Sequence, residues 1–267
     1  MGIVNATPDS FSDGGVNLDP DTAVKNALRM VADGADIVDV GGESTRPGSA
    51  AVEPGVEMAR VLPVVEGIAS QDPTVLISID TRRTEVAHDA LAAGARIVND
   101  VSAGAEEGMF QVVGDAGAGM VLMHMGGDPE TMQIAPHYED VVAEVREFLG
   151  ERVEAAVSAG IPRERLAVDP GIGFGKDLEH NLALLRDVRQ LADLGVAVLV
   201  GPSRKRFIGV LTGVEEPAAR VDGTEAAVAW CATQGVDVVR VHDVKEMVRV
   251  LLVIDAIARD GPRGRRG

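Results

Sequence analysis

The sequence predicts an α/β protein that forms a single (β/α)8 TIM barrel. Short runs of β-branched and other apolar residues alternate with longer Ala-, Leu- and Val-rich segments of helical period, eight of each along the chain. The length of 267 residues gives about 33 residues for each strand and helix, close to the ~30 of a βαβ repeat. No Gly/Ser- or Pro-rich linker divides the chain, so one closed barrel is favoured over two domains or an open doubly wound sheet.

Each predicted strand is a short apolar run, and each predicted helix fills the interval that follows it. The strands are Gly2–Asn5, Ile37–Val40, Val75–Ile79, Arg96–Asn99, Met120–Met123, Leu166–Val168, Ala197–Val200 and Asp237–Arg240. The helices are Thr22–Asp33, Val56–Ser70, Thr84–Ala93, Glu107–Asp115, Tyr138–Ala159, Leu178–Leu194, Gly223–Gln234 and Val244–Arg259. Left-handed residues that end helices are expected at Gly34, Gly94, Gly160, Gly195 and Gly235. The barrel is predicted to occupy residues 1–260, and the basic tail at 261–267, which has no apolar residue to pack, to be disordered.

The composition argues against several classes of function. Against 25 Lys and Arg stand 42 Asp and Glu, for a formal net charge of −17. This negative field repels nucleic acid and anionic membranes, so an anionic substrate requires a local basic cluster. Cys231 is the only cysteine, which excludes an intrachain disulfide and favours a reducing compartment such as the cytoplasm. No apolar run approaches the ~20 residues that cross a bilayer. We expect small-molecule substrates, with no nucleic acid and no membrane partner.

Polar residues stand where the predicted strands end. In a (β/α)8 barrel, the carboxyl ends of the strands form the mouth that holds the active site. In chain order these ends carry Asn5, Asp39, Asp80, Asn99 with Asp100, His124, Asp169, Ser203 with Arg204 and Lys205, and Arg240 with His242. Singly, Asp39 or Asp100 is equally well explained as a loop cap, and His124 is better explained as a buried histidine than as a ligand contact. Eight polar ends converging on one mouth predict a ligand site.

One set of these residues suits a flat heterocycle. Asp80, Asn99 and Asp169 offer acceptors and one amide to N–H donors along one edge of such a ring. Lys205 is available for a ring carbonyl or nitrogen. A carboxylate paired with an amino-pyrimidine edge makes charge-assisted hydrogen bonds, so this set predicts specific ring recognition.

A second set is cationic and suits phosphate. Arg46, Arg240 and His242 are predicted at the same mouth, and in a protein of net negative charge they indicate a phosphate or diphosphate group. The carbonyl oxygen of Asn5 offers a ligand for the accompanying divalent ion.

Two polar, glycine-containing loops are predicted to close over the mouth as lids. They run from Thr7 to Gly15 and from Gly41 to Gly48, and neither has enough apolar residues to be anchored in a core. Phe11 is one of only five phenylalanines in the chain, so its place in the first loop favours packing on an aromatic substrate. The glycine-rich segment from Gly171 to Lys176 is not a phosphate loop, because Asp177 follows the lysine and the four-residue spacer is missing.

Taken together, the motifs resemble those of the dihydropteroate synthases. The matching segments are residues 2–15, 39–48, 78–81, 99–102, 169–176, 203–207 and 240–243. They follow in order from Met1 to about Ala258. The resemblance implies condensation of 6-hydroxymethyl-7,8-dihydropterin diphosphate with 4-aminobenzoate, giving 7,8-dihydropteroate and diphosphate with Mg²⁺. It also implies a homodimer.

The resemblance assigns roles residue by residue. The implied pterin contacts are Asp80, Asn99, Asp169 and Lys205. The implied diphosphate contacts are Asn5, Arg46, Arg240 and His242, with Asn5 also a metal ligand. The implied 4-aminobenzoate contacts are Phe11, Thr45, Pro47, Phe174, Ser203 and Arg204. The implied catalytic residues are Asp80, Asp169, Lys205, Arg240 and Asp13.

In the mechanism that this resemblance implies, diphosphate leaves first and a delocalised pterin cation remains, which the amine of 4-aminobenzoate attacks. Phe11 and Pro47 match the family pattern, so sulfonamide sensitivity is expected. Two alternatives remain open. One is a methyltransferase that acts on methyltetrahydrofolate, which would not need the residue 7–15 lid or the Arg240 and His242 pair. The other is a pterin-binding paralogue without turnover.

Overall fold

The barrel is formed by eight parallel strands. A computed structural model describes residues 1–7, 19–43, 52–127 and 131–258. The strands, paired in chain order, are β1 Gly2–Asn5, β2 Ile37–Gly41, β3 Leu76–Asp80, β4 Ile97–Asp100, β5 Gly119–Met123, β6 Leu166–Asp169, β7 Ala197–Val200 and β8 Val238–Val239. Val241, just after β8, hydrogen-bonds Met1 and Ile3 through its backbone at 2.9 and 3.0 Å, which closes the sheet on itself. The predicted barrel is therefore confirmed.

Helices cover the outside of the sheet. Those in the described ranges are α1 Pro20–Ala32, α2 Pro54–Gln71, α3 Thr84–Ala93, α4 Met109–Asp115, α5 Val141–Ser158, α6 Leu178–Arg186, α7 Arg206–Thr212, α8 Val221–Thr233 and α9 Val244–Ala258. Alternate strand residues such as Val38, Val40, Ile77 and Ile79 are buried in the layer between sheet and helices. None of the helices in these ranges is both long and apolar enough to span a membrane.

The structure corrects three predicted elements. The predicted helix Leu178–Leu194 divides into α6 and a 3₁₀ helix, Val188–Leu194. Helix α7 was not predicted, because its seven residues are too few for a clear helical period. Strand β8 has only two residues, although the backbone N–H groups of Asp237 and Arg240 still donate to β7 at 2.9 Å. The five glycines expected to end helices all have positive φ, as predicted.

Several predicted features lie outside the described residues. They are the predicted tail at 261–267, most of both predicted lids, and the site candidates Phe11, Asp13, Thr45, Arg46 and Pro47.

Glu57, in the first turn of α2, is a buried carboxyl group. Its residue is 1% exposed, and neither carboxylate oxygen makes a hydrogen bond of normal geometry to the described part of the chain. Burial raises its pKa from 4.5 to about 7, although the nearby Thr81 hydroxyl opposes the shift. The ionised form is therefore less favourable in the folded protein than in the unfolded chain.

We expect Glu57→Gln to raise the free energy of unfolding relative to the parent protein at high pH and much less at low pH. The carboxyl group titrates near 4.5 when unfolded and near 7 when folded, so the parent loses stability as pH rises through this window. At 1.36 kcal/mol per pKa unit the loss is about 3 kcal/mol. Urea unfolding of both proteins at about pH 5 and pH 8 measures it. A difference between them that does not change with pH would contradict the prediction.

Candidate active site

The carboxyl ends of the strands bring the predicted ring-binding residues together. Asp80 ends β3 and lies opposite Asn99 of β4 in the parallel register, and Asp169 ends β6. Arg240 immediately follows β8, next to the point where the last strand segment meets β1 and closes the barrel. Closure of the barrel therefore brings Asp39 and Arg240, which are 201 positions apart, into hydrogen-bond contact.

Arg240 links two carboxylates at this mouth. Its Nε donates to Oδ2 of Asp39 at 2.6 Å, and its Nη2 donates to Oδ2 of Asp80 at 2.6 Å. The side-chain amide of Asn99 donates to the same Asp39 oxygen at 3.0 Å. Two carboxylates, one guanidinium and one amide thus form one polar cluster, which includes three predicted site residues.

Burial shifts the pKa values of Asp80, Asp169 and Lys205 at this mouth away from their ordinary values. It raises the pKa of Asp80 to about 7; the Arg240 charge opposes this shift, and the Asp39 charge adds to it. Burial also raises the pKa of Asp169, against a 2.7 Å hydrogen bond from the Gly171 N–H. It lowers the pKa of Lys205 to about 8, against the attraction of Asp169. The charges here are only partly compensated, so they respond strongly to a charged ligand.

Lys205 and Phe174 are in direct contact. The Lys205 Nζ lies 4.1 Å from the centroid of the Phe174 ring, within the range of a cation–π interaction. Phe174 belongs to the loop between β6 and α6, whose Gly173 has a φ of +85° and approaches the Lys205 stem closely. Lys205, predicted to contact the pterin, and Phe174, predicted to contact 4-aminobenzoate, are therefore direct neighbours.

Ser203 and His242 form a second polar pair. The Ser203 Oγ accepts the His242 backbone N–H at 3.2 Å and lies 3.0 Å from His242 Nδ1. Burial, helped by Arg204 and Arg240, lowers the pKa of His242 to about 3. The imidazole is therefore mostly neutral near pH 7, and the role of His242 as a diphosphate contact stays a prediction. With the hydroxyl donating to Nδ1, Nε2 carries the proton and can donate to an anion.

The Arg204 guanidinium is already paired. Its Nε and Nη2 donate to the two carboxylate oxygens of Asp243 at 3.0 and 2.6 Å, and its backbone has a φ of +58°. Its role as a 4-aminobenzoate contact stays a prediction.

Asn5 ends β1 and is half-buried. No group of three His, Cys, Asp or Glu residues within the described ranges is arranged to hold a metal ion. The metal role of Asn5 also stays a prediction.

Two residues at the mouth have roles that the sequence did not reveal. The sequence indicates only that Asp39 lies near the end of a strand, whereas in the structure its Oδ2 accepts hydrogen bonds from both Asn99 and Arg240. The buried Lys176 ammonium donates to the carbonyls of Phe174 and His124 at 2.8 and 3.3 Å and lies 3.0 Å from His124 Nδ1. It thereby ties the loop after β6 to the end of β5. His124 is buried, as expected. For Asp39, the available signal was a carboxylate within an otherwise apolar strand.

A family model described as pterin binding enzyme matches residues 1–242. The chain belongs to this family. It is 47% identical over 256 residues to the dihydropteroate synthase of Escherichia coli K12, covering 96% of this chain and 90% of the relative. It is 49% identical over 270 residues to that of Mycobacterium leprae, covering 98% and 94%. These relatives and the fold make it a transferase with dihydropteroate synthase activity, which confirms the expected function.

Solved dihydropteroate synthases have the same fold and contain relevant ligands. The Xanthomonas albilineans enzyme with 4-aminobenzoic acid matches with a TM-score of 0.91 and 49% identity, over 97% of this chain and 92% of that one. The same enzyme with 7,8-dihydropteroate matches at 0.88 and 47%, over 97% and 93%. The Yersinia pestis enzyme in a sulfonamide complex matches at 0.92 and 42%, also over 97% and 93%.

Proposed function

We propose that the pterin ring binds against Asp80, Asn99, Asp169 and Lys205. The observation that carries this assignment is the hydrogen-bonded cluster in which Arg240 donates to Asp80 and Asp39, and Asn99 donates to Asp39. Carboxylates and an amide oxygen suit the N–H edge of an aminopyrimidine, and the Lys205 ammonium suits a carbonyl or ring nitrogen. The site is deep, since Asn99 and Asp169 are both buried, so water competes little with these contacts.

The diphosphate is proposed to bind at Arg240, His242, Asn5 and Arg46. Arg240 keeps N–H groups beyond the two it gives to carboxylates, and neutral His242 can donate from Nε2. The donor chemistry fits Mg²⁺: Asn5 offers a hard amide oxygen, and magnesium is commonly held by few protein ligands together with substrate phosphates. Bound there, the ion would help neutralise the diphosphate charge.

The second substrate is proposed to bind beside the Phe174 ring. Ser203 is placed at the same mouth by the loop after β7, and Arg204 follows it; Phe11, Thr45 and Pro47 are assigned by resemblance alone. A sulfonamide is proposed to compete with 4-aminobenzoate at this place, in line with the sulfonamide complex of the Yersinia pestis enzyme. The site is proposed to operate in the cytoplasm, in line with the single cysteine of the chain.

The charges suit a reaction in which the leaving group departs first. When ionised, Asp80 and Asp169 place negative charge beside the ring. Such fixed charge stabilises the pterin cation that develops as the C–O bond to diphosphate breaks. The amine of 4-aminobenzoate then forms the new C–N bond and gives up one proton to the departed diphosphate or to water. Asp13 is proposed to approach the same cation from the first lid.

Two ligand measurements test these assignments separately. Calorimetry with 6-hydroxymethyl-7,8-dihydropterin should show about tenfold or greater weakening in Asp169→Asn, because a charge-assisted hydrogen bond is lost. Calorimetry with Mg²⁺ and inorganic diphosphate should show weakening in His242→Ala and little change in Asp169→Asn. Asp115→Asn, exposed at the end of α4, is the matched control. Equal weakening of both ligands by both site variants would overturn the division into two subsites.

Turnover tests the synthase activity directly. Diphosphate release from the dihydropterin diphosphate should depend on, or be strongly stimulated by, 4-aminobenzoate and should yield dihydropteroate. Pterin binding without product would instead indicate the paralogue without turnover or the methyltransferase.

We also propose a homodimer, formed through the groove between α6, α7 and α8. The groove is apolar, and its lining includes Leu182, Leu185, Phe207, Leu211, Ala227 and Trp230. Leu211 is 57% exposed and Trp230 is 45% exposed, although the Trp230 indole N–H donates to the Leu185 carbonyl at 2.7 Å. Large apolar side chains left in water over a continuous groove favour association.

Leu211→Glu is expected to convert the dimer to a monomer, since a charge would be buried at the interface. Light scattering after size-exclusion chromatography measures the mass. Leu252→Glu is the matched control, because Leu252 is 60% exposed but lies on α9. A monomeric parent protein, or dissociation only by the α9 change, would contradict this interface.

A further inference from the structure

Asp39 is buried behind the residues proposed to bind substrate. It lies in the middle of β2, is 0% exposed, and places a single oxygen, Oδ2, against both Asn99 and Arg240. Its Oδ1 is buried without a hydrogen-bond partner in the parts of the chain that the structure describes. Because its hydrogen bonds are to Asn99 and Arg240, Asp39 acts on the site through these two residues and, through its charge, on Asp80.

The first effect of Asp39 is on the orientation of the Asn99 amide. An asparagine side chain has a donor end and an acceptor end, and exchanging them costs little unless a neighbour discriminates between them. An ionised carboxylate accepts hydrogen bonds only, so the 3.0 Å contact fixes Asn99 Nδ2 toward Asp39. Asn99 Oδ1 is thereby left as the acceptor for a ring N–H. Without Asp39, the amide is free to present the wrong end.

The second effect concerns Arg240. The guanidinium donates to Asp39 through Nε and to Asp80 through Nη2, both at 2.6 Å. The hydrogen bond to Asp39 holds Arg240 independently of Asp80. When a ring N–H engages Asp80, Arg240 therefore keeps its position and its free N–H groups remain available to an anion.

We propose that Asp39 is a positioning residue that fixes the acceptor end of Asn99 toward the pterin and holds Arg240 between the pterin and diphosphate subsites. This inference rests on the proposed functions of Asn99 and Arg240. Asp39 itself is not proposed to touch substrate, which separates it from the catalytic residues.

A double-mutant cycle tests the effect on Asn99. Affinity for 6-hydroxymethyl-7,8-dihydropterin is measured in the parent, Asp39→Asn, Asn99→Ala and the combined variant. We expect each single change to weaken binding about tenfold, and the combined change to weaken it no more than Asn99→Ala alone. Additive losses would overturn the inference. Normal binding by Asn99→Ala would instead overturn the proposed function of Asn99, so the two failures are distinguishable.

A swapped pair covers the case in which Asp39→Asn folds poorly. In the double variant Asp39→Asn with Asn99→Asp, the amide at position 39 can donate to the carboxylate at position 99. The other oxygen of that carboxylate still faces the ring as an acceptor. It should recover most of the pterin affinity lost in Asp39→Asn. Failure to recover affinity in a folded swap would contradict the orienting role.

The pH profile gives a readout that a purely structural role would not change. The groups acting on Asp80 are Arg240, which lowers its pKa, and Asp39, Glu57 and Asp100, which raise it together with burial. Asp39→Asn removes a negative charge that raises the pKa of Asp80, and it leaves Asp80 as the ionic hydrogen-bond partner of Arg240. The pKa of Asp80 should therefore fall, and the acidic limb of the kcat/KM profile should move to lower pH. Asp115→Asn should leave the limb in place. An unchanged limb in Asp39→Asn, or a shift to higher pH, would count against the inference.

Discussion

Asp80→Asn is expected to lower kcat/KM by about 10²–10³, the cost of losing one strong electrostatic contact to a developing charge. The side chain stays nearly the same size, so the change removes charge rather than volume. Asp80 ends β3 and accepts from Arg240 at 2.6 Å. Without this carboxylate, the ring would lose a proposed anionic partner as it becomes cationic, and Arg240 would keep Asp39 as its hydrogen-bonded counter-charge.

Steady-state diphosphate release at about pH 8 measures this effect, since the Asp80 pKa of about 7 leaves the parent carboxylate mostly ionised there. Below pH 7 the parent should lose activity as Asp80 binds a proton, whereas Asp80→Asn should lack this acidic limb. Thermal unfolding confirms that the variant is folded, and Asp115→Asn serves as the surface control. Near-normal turnover in a folded Asp80→Asn protein would remove Asp80 from the catalytic set.

Lys205→Ala is expected to cause a loss of similar size, about 10²–10³ in kcat/KM. The Lys205 ammonium lies 4.1 Å from the Phe174 ring centroid and helps to hold the pKa of Asp169 down against burial. Its removal would withdraw the proposed donor to the pterin and raise the pKa of Asp169, so a larger fraction of that carboxyl group would be neutral. The KM for the dihydropterin diphosphate should rise while kcat falls.

Two further variants separate charge from packing. Lys205→Met keeps an unbranched side chain against Phe174 but has no charge, so it should be nearly as inactive as Lys205→Ala. Lys245→Ala, an exposed lysine near the start of α9, should retain parent activity. Recovery of most activity in Lys205→Met would show that Lys205 acts through packing and not as a cation.

The buried lysine at position 176 illustrates a limit of motif comparison. The sequence correctly excluded a phosphate loop at residues 171–176, because Asp177 follows the lysine. It did not predict that the Lys176 ammonium would hold the carbonyls of Phe174 and His124, since those contacts depend on how two loops meet. Burial lowers the pKa of Lys176 to about 7. Lys176, which resembles a phosphate-binding lysine in the sequence, thus joins two loops in the fold.

The sequence by itself determined the barrel and most of the mouth. Strand and helix periodicity are local patterns, and the end of a parallel strand predicts which end of the barrel a residue occupies, so Asp80, Asn99, Asp169 and Arg240 could be placed there without coordinates. The tertiary structure decided which of these side chains pair. Only closure of the barrel brings Asp39 to Arg240, 201 residues away.

The tertiary structure also decided the protonation of His242 and the presence of an apolar groove around Trp230. Burial next to Arg204 and Arg240 makes His242 neutral, and the short helix α7 lies between α6 and α8 at the groove. These properties depend on desolvation and on contacts between distant segments. Spacing along the chain determines neither of them.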